Sequence, residues 1–294
     1  MITNPNVKIN LGLNVLRKRD DGFHDLETLF VPYFGITDTL EIIAGDDYSR
    51  TSAAIFGKYA PEMIAQGISE EGSLMITIAR AEGVDWDPLK DLTAKAYYVL
   101  AEDFKLPPVK IFLEKTSPVG AGLGGGSADA AFALKMLNEL CELGLSDQQL
   151  AGYALRLGSD CPLFIYNRPM IGEGRGEILT EISWKLPFSC HPERSEGSFD
   201  LQVLTPEGVS VSTKDAYAGI RPHLPEVSLR DALARPVEEW ADVLFNDFEE
   251  TVFAKYPELA AIKRSLYDSG AVYASMSGSG SALFALYPNQ AFPK

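Results

Sequence analysis

Between Val119 and Ser127 the chain reads Gly120-Ala121-Gly122-Leu123-Gly124-Gly125-Gly126, five glycines in seven positions. Neither a packed core nor a helix interior suits such a run, because each glycine there costs roughly 1 kcal/mol relative to alanine. The stretch serves backbone freedom and close approach instead. Directly downstream, Ala130, Leu134, Leu137 and Cys141 recur at helical spacing, which puts the glycines at the mouth of a helix. First-turn N–H groups have no intrahelical partner, and the helix dipole is positive at that end, so the mouth favours a phosphate. The competing reading is a flexible turn before an amphipathic helix. No Gly-Lys-Ser/Thr follows at P-loop spacing. Gly120, Gly122 and Gly125 have Gly-x-Gly-x-x-Gly spacing, but the chain before them is strand-rich and does not begin a dinucleotide-binding unit.

Upstream, Val7, Ile9, Leu11, Leu13 and Val15 alternate with Lys8, Asn10, Gly12 and Asn14, the pattern of a half-buried strand. Lys8 and Asn10 share its polar face, which reads as a solvated face or as part of a site. Asp21-Gly22 is a hairpin signal, and extended segments follow over Phe23 to Val31 and Asp38 to Ile43. His24, beside Phe23, is either a structural histidine or, with its aromatic neighbour, a pair that stacks on and hydrogen-bonds a heterocyclic base. Residues 45–72 show no clear period. A helix runs from Leu92 to about Phe104, stopped by Pro107-Pro108, and Val109 to Leu113 form the strand that leads into the glycines.

After the loop helix, Ser146 and Gln149 form a capping box for a helix that ends at Gly158. Ser159-Asp160-Cys161-Pro162 precedes an apolar run, Leu163 to Tyr166, expected as a strand. Asp160 caps a turn there or serves as a general base. A change of texture near Ile171 divides residues 1–171 from 172–294. The polar segment Phe188 to Phe199 is expected as a surface insertion, with no role for Cys190 or His191. A strand over Asp200 to Thr205, a short helix over Thr213 to Ala218 containing Tyr217, and helices at Asp247 to Lys255 and Glu258 to Tyr267 follow. Val272 to Met276 and Ala282 to Tyr287 are strands joined by Ser277-Gly278-Ser279-Gly280-Ser281, a hairpin loop or a second wall of the phosphate pocket.

A net charge of −15 argues against a nucleic-acid or anionic-membrane partner, so a phosphate ligand has to be held by local groups. The three cysteines lack Cys-x-x-Cys spacing and are expected reduced. With no signal-type start and no apolar run of membrane-spanning length, the expected location is the cytoplasm, and the expected state a monomer or weak homodimer acting on a small molecule.

Pro118-x-Gly-Ala-Gly-Leu-Gly-Gly-Gly-Ser-Ala-Asp-Ala-Ala resembles the nucleotide-binding motif of the GHMP kinases, the superfamily of galactokinase, homoserine kinase, mevalonate kinase and phosphomevalonate kinase. Pro5-Asn6-Val7-Lys8-Ile9-Asn10-Leu11 resembles that family's first motif and Ser275 to Ser281 its third, in the family's order. Lys18 to His24, Gly158 to Pro162 and Gly172-Glu173-Gly174-Arg175-Gly176-Glu177 narrow the resemblance to the branch whose substrate carries cytidine. Two departures stand out: Ala128 replaces a frequent second serine, and Asp91 replaces an asparagine that touches adenine in the family.

The resemblance implies an α+β two-domain fold, with an amino-terminal ribosomal-protein-S5 domain 2-like ATP-binding domain and a carboxy-terminal ferredoxin-like substrate domain. It implies Mg²⁺ and ATP as cofactors and phosphorylation of the 2-hydroxyl of 4-diphosphocytidyl-2-C-methyl-D-erythritol in non-mevalonate isoprenoid biosynthesis. Carried over by position, ATP is bound by Lys115, Pro118, Gly120, Gly122, Leu123, Gly124, Gly125, Gly126 and Ser127, with the Ser127 hydroxyl facing the metal. Asp160 takes the proton of the substrate hydroxyl and Lys8 orients it and stabilises negative charge. Asn10, Phe23, His24 and Tyr217 hold the substrate. Two other readings compete, a homoserine- or mevalonate-type kinase and a nucleotide sensor without chemistry. Phe23-His24 with Tyr217 argues against the first, and the presence of both Lys8 and Asp160 against the second.

Overall fold

The computed structural model describes residues 1–45, 49–191 and 197–289. In chain order, β1 (Ile2–Thr3), β2 (Asn6–Lys18), β3 (His24–Thr37) and β4 (Thr39–Ala44) precede α1 (Thr51–Lys58), β5 (Ile64–Ile68) and β6 (Leu74–Arg80). Next come α2 (Leu92–Ala101), β7 (Val109–Lys115), α3 (Gly125–Leu140), α4 (Asp147–Leu157) and α5 (Cys161–Tyr166). The chain continues with β8 (Met170–Gly174), β9 (Ile178–Glu181), β10 (Phe199–Leu204), α6 (Thr213–Ala218), α7 (Leu229–Leu233) and α8 (Trp240–Val243). It closes with α9 (Phe248–Lys255), α10 (Pro257–Asp268), β11 (Tyr273–Met276) and β12 (Leu283–Pro288). Two compact units result. One holds Met1–Val7, Ile36–Val119 and Gly125–Asn167; the other holds Lys8–Gly35, Gly120–Gly124 and the chain from Arg168 onward.

The first unit has a five-stranded sheet in the order β1-β4-β7-β6-β5. Its neighbours are antiparallel except β6 and β7, which run parallel. A parallel pair needs a crossover, and α2 supplies it. The helix α3 packs on α2, α4 and α5, and Ala128, Ala130, Ala131, Ala133, Leu134 and Leu137 are buried along it. Cys141 lies just past the helix end and is half-buried.

Ser146 caps α4 as its sequence predicts: its hydroxyl accepts from the Gln149 amide, and the Gln149 side chain accepts from the Ser146 amide at 3.0 Å. Ser146→Ala is expected to lower stability by about 1 kcal/mol, read from urea unfolding.

Two expectations fail in this unit. Residues 45–72 hold a helix and a strand. The start of α1 is capped from a distance, since the Glu41 carboxylate on β4 accepts from the amides of Arg50 and Thr51 and from the Ser49 hydroxyl. No local pattern announces a cap of that kind. The apolar run Leu163 to Tyr166 is the helix α5 and not a strand. A short apolar run carries no period of its own, and Pro162 suits a first helical turn.

The second unit holds a four-stranded sheet, β2-β3-β8-β9, and a three-stranded antiparallel sheet, β10-β12-β11. The β2–β3 hairpin turns at Gly22, which has a φ of 85°. Leu13 and Val15 of β2 join Val211, Phe248, Val252, Leu259 and Met276 in one core. The polar face of β2 is buried as well, with Lys8, Asn10 and Asn14 all inaccessible, so the strand is not half-buried as its alternation suggests. Phe188 and Phe199 are buried and bridge each other, Phe34 donates its amide to the Cys190 carbonyl at 3.0 Å, and its ring stacks on His191. The expected insertion is therefore anchored at both ends, and its centre, 192–196, lies outside the described residues.

Candidate active site

The glycine stretch is held in the second unit by residues far away in sequence. Gly120, Gly122 and Gly124 have φ values of 73°, 77° and 71°, in the left-handed region that glycine enters without penalty. The Lys8 amide donates to the Leu123 carbonyl at 2.9 Å, and the Lys8 ammonium donates to the Gly122 carbonyl at 2.9 Å and to Asn10 Oδ1 at 2.6 Å. The Ser277 hydroxyl donates to the same Gly122 carbonyl, and the Ala282 amide to the Ala121 carbonyl. Asn10 completes the junction by donating its amide to Ser277 Oγ and its Nδ2 to Thr28 Oγ1. Two segments far apart in sequence thus donate to one carbonyl of the loop. A Cβ placed on Gly122 would lie 2.1 Å from the Ser277 carbonyl oxygen, so no other residue fits.

Sequence reasoning missed Asn246, which is buried and donates to the carbonyls of Met276 and Gly278 at 2.7 and 2.9 Å. It holds the Ser277–Gly278 turn that meets Gly122. No motif marks it, because its role depends on partners thirty residues away.

The first unit brings Ser127 and Asp160 into one neighbourhood. Ser127 is in the first turn of α3, and it and Asp160 both lie close to the Cys161 thiol. Burial first, and then the nearby Asp160 charge, pushes the Cys161 thiol up to about 12, so it stays neutral and is no nucleophile. Asp160 stands at the head of α5 without making a side-chain cap bond.

Lys115 ends β7 buried between two carboxylates, 2.5 Å from Asp38 Oδ2 and 2.6 Å from Asp129 Oδ2. Burial disfavours the ammonium, but Asp129 and Asp38 more than offset it, and Lys115 titrates above its ordinary value.

Aromatic side chains gather near the tip of the β2–β3 hairpin in the second unit. His24 and Tyr217 stack with ring centroids 4.9 Å apart and planes at 23°, and Tyr217 rests edge-on against Phe248. Phe23 is 53% exposed and has the Arg175 guanidinium 4.9 Å over its ring. Its amide donates to Asp21 and its carbonyl accepts from the Arg19 amide, which fixes the ring's base. Burial, and then the charge of Lys18, holds the His24 imidazole below its usual range. A neutral imidazole offers one donor and one acceptor, as recognition of a pyrimidine edge requires.

Among the described residues, no group of three or more His, Cys, Asp or Glu side chains is arranged to hold a metal ion, and no helix is long and apolar enough to cross a membrane.

Comparison with known proteins agrees with this geometry. Residues 91–168 match the GHMP kinases N terminal domain and residues 229–291 the GHMP kinases C terminal family. A 4-diphosphocytidyl-2-C-methyl-D-erythritol kinase of Bacteroides fragilis is 44% identical over 98% of this chain and 92% of its own length. One of Cytophaga hutchinsonii is 37% identical, again over 98% of this chain and 92% of its own. Among solved structures, a 4-(cytidine 5'-diphospho)-2C-methyl-D-erythritol kinase superposes with a TM-score of 0.72 at 27% identity, covering 97% of this chain and 90% of that one. The homoserine kinase of Cytophaga hutchinsonii shares the fold, with a TM-score of 0.62 at 18% identity over 97% of this chain and 86% of that one. With its glycine loop, Lys8 strand and Gly/Ser turn joined at Gly122, the chain belongs to the GHMP kinases, in the 4-diphosphocytidyl-2-C-methyl-D-erythritol kinase family.

Proposed function

We infer that the chain transfers the γ-phosphoryl group of ATP to the 2-hydroxyl of 4-diphosphocytidyl-2-C-methyl-D-erythritol, a step of non-mevalonate isoprenoid biosynthesis. The observation that carries this is the convergence of Lys8 and Ser277 on the Gly122 carbonyl of the glycine loop, beside a separate His24–Tyr217 aromatic pair in the same unit. Phosphoryl transfer asks the protein for in-line positioning and for cations where charge accumulates, with little covalent help. In this reading Pro118 to Ser127 wrap the phosphates of ATP, with Lys115 at the base of the loop. The Lys8 ammonium supplies positive charge to the transferring group. Asp160 accepts the proton of the tertiary hydroxyl as the new P–O bond forms, and ADP leaves.

Magnesium fits the donors present: it is held by few protein ligands beside substrate phosphates, and the Ser127 hydroxyl is a hard oxygen at the start of α3. When bound, it neutralises the phosphate charge. At the acceptor end, Phe23, His24 and Tyr217 hold the cytosine, and Asn10 holds the substrate near Lys8. Residues 1–171 carry most of the ATP-binding side and 172–294 part of the substrate side, with Lys8–Gly35 and Gly120–Gly124 compact with the later chain, in a cytoplasmic monomer or weak homodimer. The two family matches fall on either side of that boundary.

The test is ADP release with Mg-ATP and 4-diphosphocytidyl-2-C-methyl-D-erythritol, beside homoserine and mevalonate. Turnover is expected with the cytidyl substrate alone. Faster turnover with either control would sink the assignment.

A further inference from the structure

The phosphate loop needs ends as well as a middle, and in the first unit both ends run to one buried charged centre. Asp38 accepts from the amides of Thr116 and Ser117, each at 2.7 Å, from the Ser117 hydroxyl at 2.6 Å and from the Lys115 ammonium at 2.5 Å. These residues immediately precede Pro118. On the downstream side, the same ammonium reaches Asp129, one turn into α3. Gly125, the first residue of α3, also sits against the centre: a Cβ there would lie 2.3 Å from Ser117 Oγ and 3.0 Å from Lys115 Nζ.

We propose that Lys115, Asp38 and Asp129 are positioning residues for nucleotide binding, which fix where the chain enters and leaves residues 118–124. The proposal rests on the reading of that loop as the ATP cradle. Ordering a flexible loop costs about 1–2 kcal/mol per residue in backbone entropy, and fixing both ends beforehand removes part of that cost from the binding step.

Stability alone is a poor reason for the centre. Taking three ionisable groups out of water is expensive, and burial pushes the Asp129 carboxyl well up, whereas apolar residues of similar volume often replace a buried ion pair without loss. Asp129 Oδ1, moreover, is buried without a hydrogen-bond partner among the described residues, a penalty that a purely structural plug would avoid. An apolar plug cannot, however, direct bonds to two consecutive amides and a helix side chain at once.

The test uses the full chain and ADP with Mg²⁺ as the probe, read by calorimetry, with the melting temperature measured in parallel. Asp129→Asn is expected to weaken ADP binding about tenfold, or ~1.4 kcal/mol. The triple variant D38N/K115M/D129L, which leaves no charge in the centre while keeping a carbonyl oxygen at position 38 for the Thr116 and Ser117 amides, is expected to melt near the wild type yet bind ADP as weakly. ADP affinity within twofold of wild type in either folded variant overturns the proposal, and so does loss of the fold in both, since the centre would then serve stability only. No phosphoryl acceptor is present in this measurement, so an error in the assigned acceptor would leave its outcome intact.

Discussion

Asp160→Asn is expected to cut kcat by a factor on the order of 10² or more while leaving Mg-ADP affinity and melting temperature near wild type. The substitution keeps the shape of the side chain and removes only its capacity to accept a proton. A tertiary alcohol is a weak acid, so its oxygen attacks efficiently only as its proton departs, and a carboxylate within reach is the simplest acceptor. The fold should tolerate the change because asparagine keeps the size of the side chain and one acceptor oxygen on it. Kinetics with saturating ATP, read beside ADP calorimetry, separate the two effects. A near-normal rate would return Asp160 to a structural role.

Gly122→Ala is expected to damage both stability and nucleotide binding. At a φ of 77° an alanine costs about 1–2 kcal/mol. Its Cβ would also stand 2.1 Å from the Ser277 carbonyl oxygen, with Gly280 backbone atoms close behind. Backbone cannot swing aside as a side-chain tip can, so overpacking adds about 1–3 kcal/mol and moves the loop off Lys8 and Ser277. The control is Gly120→Ala, which shares the left-handed φ but meets nothing within 4 Å, and should show the conformational penalty alone. Urea unfolding and ADP affinity of the two variants measure the difference. Equal losses in both would mean that the Gly122 contact with the Ser277 turn does not matter.

The parts of this site that were legible in the sequence are those with local signatures. The left-handed glycines, the Ser146–Gln149 capping box and the Asp21-Gly22 turn each declare themselves within a few residues, and all three stand where the pattern puts them. What was not legible depends on distant partners. Alternation on β2 says that Lys8 and Asn10 face one way, but not that this face is buried against Thr28, Ser277 and Gly122. Lys115 invites a reading as a free cation for a nucleotide, and only the fold supplies Asp38 and Asp129 around it. The start of α1 was invisible for the same reason, since its capping carboxylate is on β4. The misread strand at α5 is a different failure, one of period, because six residues cannot establish whether an apolar run repeats every two or every 3.6.

The His24–Tyr217 stack has a consequence for the proposed substrate. At 4.9 Å between centroids the two rings leave no room for a third, whereas a base sandwiched between them would need about 7 Å. On the proposed assignment of His24 and Tyr217 to cytosine, the protein carries an occupant of its own in the aromatic slot, which cytosine displaces as it binds. Measured affinity is then the difference between two stackings, which lowers it relative to an open slot. The same self-occupation acts as a filter at the door: a polyol with no aromatic face has nothing to exchange for the broken stack, and a nucleotide that can stack on both rings does.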